Sequence, residues 1–449
     1  MEYLMGLFVL LLIGRAMLSL YFNGYMPQPF FYEVHDTYMD WFNTAYWAHD
    51  PGMYDNWATI YPPLSFVVLR IVGIGKCYTS GVDSPDLRLC DWVGIAAIHG
   101  LFILNIILTA LVFKKIDRRT AMPRAIAVSA GMPMLYAVDR GNIILLCYTV
   151  FLLAFGPLVR SARIRWFCAG LAVNFKVYLI AAILAQLLRR RWLWVEGALI
   201  AVILIYVATF AIIGAGTPGE IIFNITSYAT NFVSGNILDV WYSVTYQPLI
   251  NLFQGMGFPI NIFLGSRVAD VGLVVFPAVT RLGQLSIALA AVATWLRPEV
   301  VPVHRTVFLG TALALISSEA GGYTQIMILL LVMMEPWRGV ARPVAIITCY
   351  VLALPGDIIV SYVPPMVRES FLAGGARVEV NLGVGLGMFL RPALLVLVSV
   401  SLSAATIADV WRDIKAQGWK NRWRYRRDWP LLPGVTRPER PYPEQVTKS

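Results

Sequence analysis

Residues 35–63 read HDTYMDWFNTAYWAHDPGMYDNWATIYPP. The stretch is crowded with Asp, His, Trp and Tyr and contains no Lys or Arg. It follows closely on residues 3–22, an apolar run long enough to cross a bilayer as a helix. A segment this polar cannot lie exposed in hydrocarbon, so it reads as a loop at the mouth of whatever the apolar runs build. Its carboxylates and imidazoles can move protons, and its aromatic faces can hold a ligand.

The rest of the chain is apolar. Of its 449 residues, 58% are hydrophobic and 14% charged, and runs of about 20 apolar residues recur from end to end, the pattern of a polytopic all-α membrane protein. Residues 3–22 lack the basic start and small-residue cleavage site of a signal peptide and read as a membrane anchor. The net charge of +10 is concentrated in the tail, where residues 412–448 carry ten basic and four acidic side chains. Basic residues beside a final membrane helix mark the cytoplasmic side and touch anionic headgroups, so nucleic acid is not an expected partner. Five cysteines are too few for a disulfide scaffold and lack zinc spacing. Cys147, Cys168 and Cys349 fall in apolar runs as small fillers.

Lys and Arg placement sets an expected orientation. Clusters at residues 114–119, 160–165, 189–191, 297–305 and 338–342 read as cytoplasmic, as does the tail. Residues 23–69 and 216–266 are free of Lys and Arg and read as extracytoplasmic. About twelve spans follow: 3–22, 92–113, 123–138, 141–159, 166–175, 177–188, 193–213, 277–296, 306–318, 323–334, 343–362 and 383–408. Both termini are then cytoplasmic. Several spans are too short to cross alone and read as half-helices, with breaks near residues 139–142, 174–176 and 319–322. Broken backbone at membrane depth is tolerated where it is buried or lines a wet cavity.

The apolar run at 61–75 reads as a helix at the outer interface. The first outer loop then covers about 23–91 and brings Cys77 and Cys90 outside together, either bonded or as two thiols. The second outer loop covers about 214–276. Residues 1–411 form one membrane domain and 412–449 a basic cytoplasmic tail, with an amphipathic helix expected over 411–429.

Within the first loop, His35, Asp36 and Asp40 are spaced to share one face of a short helix. The alternatives are a solvated acidic loop or a hard divalent-cation site. Arg140, Lys176, Arg281 and Arg391 are four cations expected at similar outer depth. They suit an anion such as a lipid phosphate, with snorkelling to headgroups as the alternative for Arg281 and Arg391. Glu319 sits at another break, to pair with one of these cations or bind hydroxyls. Leu382-Gly383-Val384-Gly385-Leu386-Gly387 reads as close helix packing rather than phosphate binding.

Several of these features occur together in one known arrangement. Asp36 follows the first span, an aromatic segment leads to Gly52 and Tyr54, and Tyr61-Pro62-Pro63 comes next. Arg140-Gly141-Asn142 follows, then Ala169-Gly170-Leu171 with Lys176 ahead of Arg189-Arg190-Arg191. In this order the chain resembles the GT-C class of membrane glycosyltransferases, most nearly the polyprenyl-phosphomannose-dependent α-mannosyltransferase family. The family often has His where this chain has residues 317–323, and an Asn-Gln-Ser-like segment where it has Tyr246-Gln247-Pro248. Both departures fall where the acceptor is expected to bind.

The resemblance implies an inverting transfer of mannose or another sugar from a polyprenyl-phosphate donor to a glycolipid or glycan acceptor, at the outer face of an inner membrane. Asp36 would be the base, with Asp40 as the other candidate. Arg140, Lys176, Arg281 and Arg391 would hold the donor phosphate. His35, Tyr61, Asn142, Glu319 and Tyr323 would bind substrate, and neither cofactor nor metal is implied. A flippase of lipid-linked sugars and a polysaccharide polymerase or ligase are the alternative functions. The orientation is directly testable: a cysteine placed at position 50 reacts with an impermeant external reagent in whole cells and one at position 420 does not. The opposite pattern overturns the charge-based orientation.

Overall fold

The structure, a computed structural model of the chain, describes residues 1–78, 84–228 and 241–419. Helix α1 (Glu2–Asn23) ends at Gly24, whose φ of 77° suits the left-handed cap that glycine adopts without penalty. The first loop carries α2 (Met39–His49), α3 (Pro63–Ile71) and α4 (Ser84–Cys90). Asp91 then caps α5 (Trp92–Ile116) by accepting from the Gly94 amide. Next come α6 (Ala121–Ser129), α7 (Met132–Arg140), α8 (Ile144–Phe155), α9 (Ala162–Phe175), the short α10 (Ile180–Leu184) and α11 (Trp192–Ile213).

The second loop carries α12 (Pro218–Ser227), α13 (Gln247–Phe253) and α14 (Ile260–Leu264). It leads into α15 (Ser266–Leu296), α16 (Val303–Ser317), α17 (Gln325–Val332) and α18 (Ala341–Leu352). Four short strands, β1 (Ile359–Tyr362), β2 (Met366–Glu369), β3 (Arg377–Val380) and β4 (Gly383–Gly385), precede α19 (Gly387–Gln417).

The fold is therefore mostly helical. Helices α1, α5, α11, α15 and α19 are long and apolar enough to cross a membrane, and the other apolar helices are shorter. The five long helices keep apolar side chains such as Phe8, Ile107, Leu204 and Val274 exposed, as a lipid-facing surface requires. Among the short helices α17 is the most enclosed, with none of its residues exposed, and α8 is nearly so.

The three anticipated breaks are present. Gly141, at φ 62°, ends α7, Lys176 is extended between α9 and the next turn, and residues 318–321 separate α16 from the 3₁₀ turn Gly322–Thr324. A further break at Ala130-Gly131 divides the expected span 123–138 into α6 and α7.

Other boundaries differ from the sequence reading. The span expected at 343–362 stops at Leu352, because Pro355-Gly356 follows and the β-branched run from Ile358 enters a strand. The helix expected from 277 begins at 266, and the one expected from 383 begins at 387. α19 also continues past residue 411, so no separate helix starts there; residues 420–429 of the expected amphipathic helix lie outside the described residues.

The glycine run at 383–387 is not helix packing. β4 pairs antiparallel with β1, and a Cβ on Gly383 would collide with the Ser361 carbonyl. β2 and β3 form a second antiparallel ladder, with Met366 opposite Val380. These ladders lie against the first loop. The Phe371 amide donates to Gly24 O, the Gln28 amide donates to Gly383 O, and Glu33 pairs with Arg368 at 2.5 Å. Residues 353–386 thus make a third connection at the loop end of the bundle, unforeseen in the sequence. Cys77 and Cys90 are bonded to each other.

The opposite end is basic and closely neutralised. The buried Glu2 accepts two 2.8 Å bonds from Arg124, itself bonded to the Met333 and Glu335 carbonyls. Glu335, fully buried, is bonded by Arg305 and by His304 at 2.9 Å, with Arg342 at 3.2 Å. Asp409 on α19 closes the set by accepting from Arg305 and Arg342. Removing one member of a buried ion network leaves its partners uncompensated. Glu335→Ala is expected to lose about 3–5 kcal/mol, read as a lower thermal midpoint of the detergent-solubilised protein; an unchanged midpoint means the network does not hold this end together.

Candidate functional site

The first loop turns sharply where its acidic residues begin. Val34–Asp36 is one 3₁₀ turn, and Tyr38 follows in the left-handed region at φ 66° before α2 starts. His35 and Asp36 therefore do not share a helix face with Asp40. Left-handed backbone is costly for a β-substituted residue and persists where its surroundings enforce it. Here Tyr38 N donates to Asp139 O at 2.9 Å, and the Tyr38 backbone lies against Gly141, where a Cβ would sit only 2.9 Å from Tyr38 Cα. Arg88 fastens the other side of the turn, donating to Val34 O at 2.6 Å and Thr37 O at 3.1 Å.

This fixed turn separates the two candidate carboxylates. Asp40, on the first turn of α2, is committed: Arg140 and Asn142 donate to its two oxygens, the latter at 2.7 Å. Asp36 accepts no hydrogen bond from any described residue, although it is half-buried. Desolvation by burial raises its pKa above the ordinary carboxylate value, Glu33 and Asp40 add to the rise, and Arg140 and His35 oppose it. Asp139 does not pair with Arg140. Its carboxylate accepts from the Phe31 amide at 3.0 Å, while the Arg140 guanidinium lies 4.1 Å from the Phe31 ring centroid.

The helix breaks bring a second group beside this turn. Asn142 is fully buried and binds Asp40 with its amide nitrogen while its oxygen caps the Ile144 amide. The Tyr61 ring lies within electrostatic reach of Asn142, Asp40 and Arg140. Lys176, 8% exposed, holds its ammonium 4.5 Å from the Tyr61 ring centroid and 5.6 Å from that of Tyr323. Among the described residues no carboxylate pairs with Lys176. Tyr323 stacks on Tyr136, which meets Tyr242, and the Arg391 guanidinium lies 4.9 Å from the Tyr242 ring.

The other expected residues have different duties. Arg391 is buried rather than snorkelling, and it donates to Trp241 O, Gly356 O and Asp357, fastening α19 to two loops. Arg281 is exposed on α15, in line with the exposed Leu285 one turn along. Among the described residues Glu319 pairs with no cation; it accepts from Ser243, Val244, Thr245, Ala320 and Gly321, tying the break to the second loop. His35 is exposed and faces Glu369 at 3.2 Å.

Arg140, Asn142, Tyr61, Lys176 and Tyr323 thus gather around Asp40, and Arg140 also lies within electrostatic reach of Asp36. Arg88, Tyr136 and Tyr242 were missed by the sequence reading. Arg88 had one signal, as one of few basic residues in a long loop otherwise poor in them. The tyrosines gave none, because aromatic residues abound in the apolar runs.

The arrangement offers a half-buried carboxylate without a donor at Asp36 and a buried ammonium without a carboxylate partner at Lys176, both within electrostatic reach of Asp40. It can take a proton at Asp36 and an anion at Lys176. Asp36→Asn is expected to change the unfolding free energy by less than about 0.5 kcal/mol, whereas Asp40→Asn loses about 1–3 kcal/mol by stranding Arg140, both read from thermal midpoints. Equal midpoints for the two variants contradict this division of labour. No family model, curated protein or solved structure matches the chain.

Proposed function

We propose that this protein is an inverting glycosyltransferase that moves a sugar, mannose first among the candidates, from a polyprenyl-phosphate donor to a lipid-linked or glycan acceptor. The observation that carries the reading is the division between the two carboxylates. Asp40 is occupied by Arg140 and Asn142, which leaves Asp36 available as a base, while Lys176 is buried without a carboxylate partner among the described residues.

In this mechanism Asp36 accepts the proton of the acceptor hydroxyl as its oxygen attacks the anomeric carbon. The carbon–oxygen bond to the phosphate breaks on the opposite face, and the electron pair leaves with the polyprenyl phosphate. That group leaves as an anion and needs cations rather than a general acid. Lys176 supplies one without first surrendering a partner. Arg140 has further N–H groups beyond the one spent on Asp40. Tyr61 and Tyr323 line the ammonium and can cover the sugar face.

The same reading places the protein in an inner membrane. The basic end faces the cytoplasm, the site faces outward, both termini lie inside, and a GT-C-like fold of about twelve crossings and half-crossings forms around the five long helices. The charge difference between the two ends of the bundle supports that orientation.

The test is transfer by purified wild type and Asp36→Asn from a polyprenyl-phosphate mannose donor. A general base contributes about 10²–10⁴-fold, and the variant should lose activity on that scale. Because burial raises the Asp36 pKa, the base form appears only at higher pH than for a free aspartate. The acid limb of the wild-type rate should therefore fall off above pH 3.8, the ordinary aspartate value. Wild-type rates in the variant, or an acid limb at or below that value, exclude Asp36 as the base.

A further inference from the structure

A cavity of about 130 Å³ lies at the basic end of the bundle, away from the site just described. Three arginines from separate places in the chain line it: Arg160 before α9, Arg165 on α9 and Arg191 just ahead of α11. No acidic side chain is among its lining residues. Arg165 Nε is anchored on Ala154 O at 2.6 Å, which leaves its terminal nitrogens for other partners.

The backbone adds to the positive field. Ala162, Val303 and Trp194 line the cavity from the first turns of α9, α16 and α11, helices of 14, 15 and 22 residues. Each helix start carries a partial positive charge and backbone N–H groups without intrahelical partners. A second feature points to a ligand. Gln186 also lines the cavity, is 4% exposed, and its Nε2 donates to nothing among the described residues. Burying an amide donor unsatisfied costs about 1–3 kcal/mol, so an acceptor is wanted here.

Helices α9 and α11, which supply lining residues, also carry exposed apolar side chains. Ile164, Phe167 and Trp192 are exposed beside the lining residues on α9 and α11. The guanidinium groups of Arg160 and Arg165, the positive charge of Arg191, three helix starts and an amide donor suit the oxygens of a phosphate, and the exposed apolar side chains on α9 and α11 suit an acyl chain.

We propose that this cavity is a binding site for a phosphate group, most naturally that of an anionic phospholipid headgroup. It is separate from the candidate catalytic site, and the inference does not depend on what that site does. The lining selects a phosphate, and the exposed apolar side chains on α9 and α11 favour a lipid as its source over free phosphate.

The experiment follows thermal unfolding of the full-length protein in detergent during titration with dioleoyl phosphatidylglycerol, with dioleoylglycerol, which lacks the phosphate, and with inorganic phosphate. Phosphatidylglycerol is expected to raise the midpoint and dioleoylglycerol is not. Arg160→Gln removes an exposed guanidinium at the mouth without disturbing the fold and is expected to weaken the apparent affinity about tenfold. Arg163→Gln, exposed on the same segment but outside the lining, is expected to leave it unchanged.

A response to inorganic phosphate and not to the lipid, lost in Arg160→Gln, keeps the phosphate site and assigns it a soluble ligand. Equal stabilisation by dioleoylglycerol, no response to either phosphate, full response in Arg160→Gln, or equal weakening by Arg163→Gln overturns the proposal.

Discussion

Arg140 lies where α7 turns toward α8, and a cation so little exposed needs a carboxylate. Asp40 supplies it from 100 residues earlier in the chain, and Asn142 fills the second carboxylate oxygen. This junction ties the first loop to the first helix break. The rest of the site takes its register from it. Gly141 admits the Tyr38 backbone, Tyr38 sets the turn that carries Asp36, and Tyr61 lies close enough to Asn142 to bring the first loop over Lys176.

The two ends of the bundle treat charge in opposite ways. At the basic end Glu2, Glu335 and Asp409 are each bonded to arginine, and the network joins α1, α6, α16, α18 and α19. At the loop end Arg391 and Glu319 serve the same structural purpose through backbone and hydroxyl partners. Among the described residues, the half-buried Asp36 accepts no hydrogen bond and the buried Lys176 pairs with no carboxylate. Buried or half-buried charges left without such partners are where binding or chemistry is expected, because their cost is recovered when a ligand arrives.

Much of the helical layout was legible because it follows from apolar length alone. Residues 3–22, 92–113 and 193–213 could scarcely be anything but long helices, and the polar breaks near 140, 176 and 320 interrupted runs too short to cross. The ladders at 359–385 were not legible. Ile358, Ile359 and Val360 are as apolar as a membrane helix, and only Pro355-Gly356 ahead of them marks the change. Of the site, Asp36, Asp40, Arg140 and Lys176 were visible as charges in unlikely places. The distinction between Asp36 and Asp40 was not visible, since it rests on Arg140 and Asn142 reaching Asp40 across the fold. Arg281 and Glu319 show the limit of depth arguments: similar depth says nothing of which way a side chain points or which hydroxyls surround it.

The central claim is that the sugar comes from a lipid phosphate and inverts on transfer. The most direct measurement supplies reconstituted protein with mannose labelled at its anomeric carbon, once as polyprenyl-phosphate mannose and once as a nucleotide sugar, with octyl mannoside as acceptor, and reads the product by NMR. The account predicts labelled product from the lipid donor alone, with the opposite anomeric configuration. Product from the nucleotide sugar, or retained configuration from the lipid donor, would contradict it.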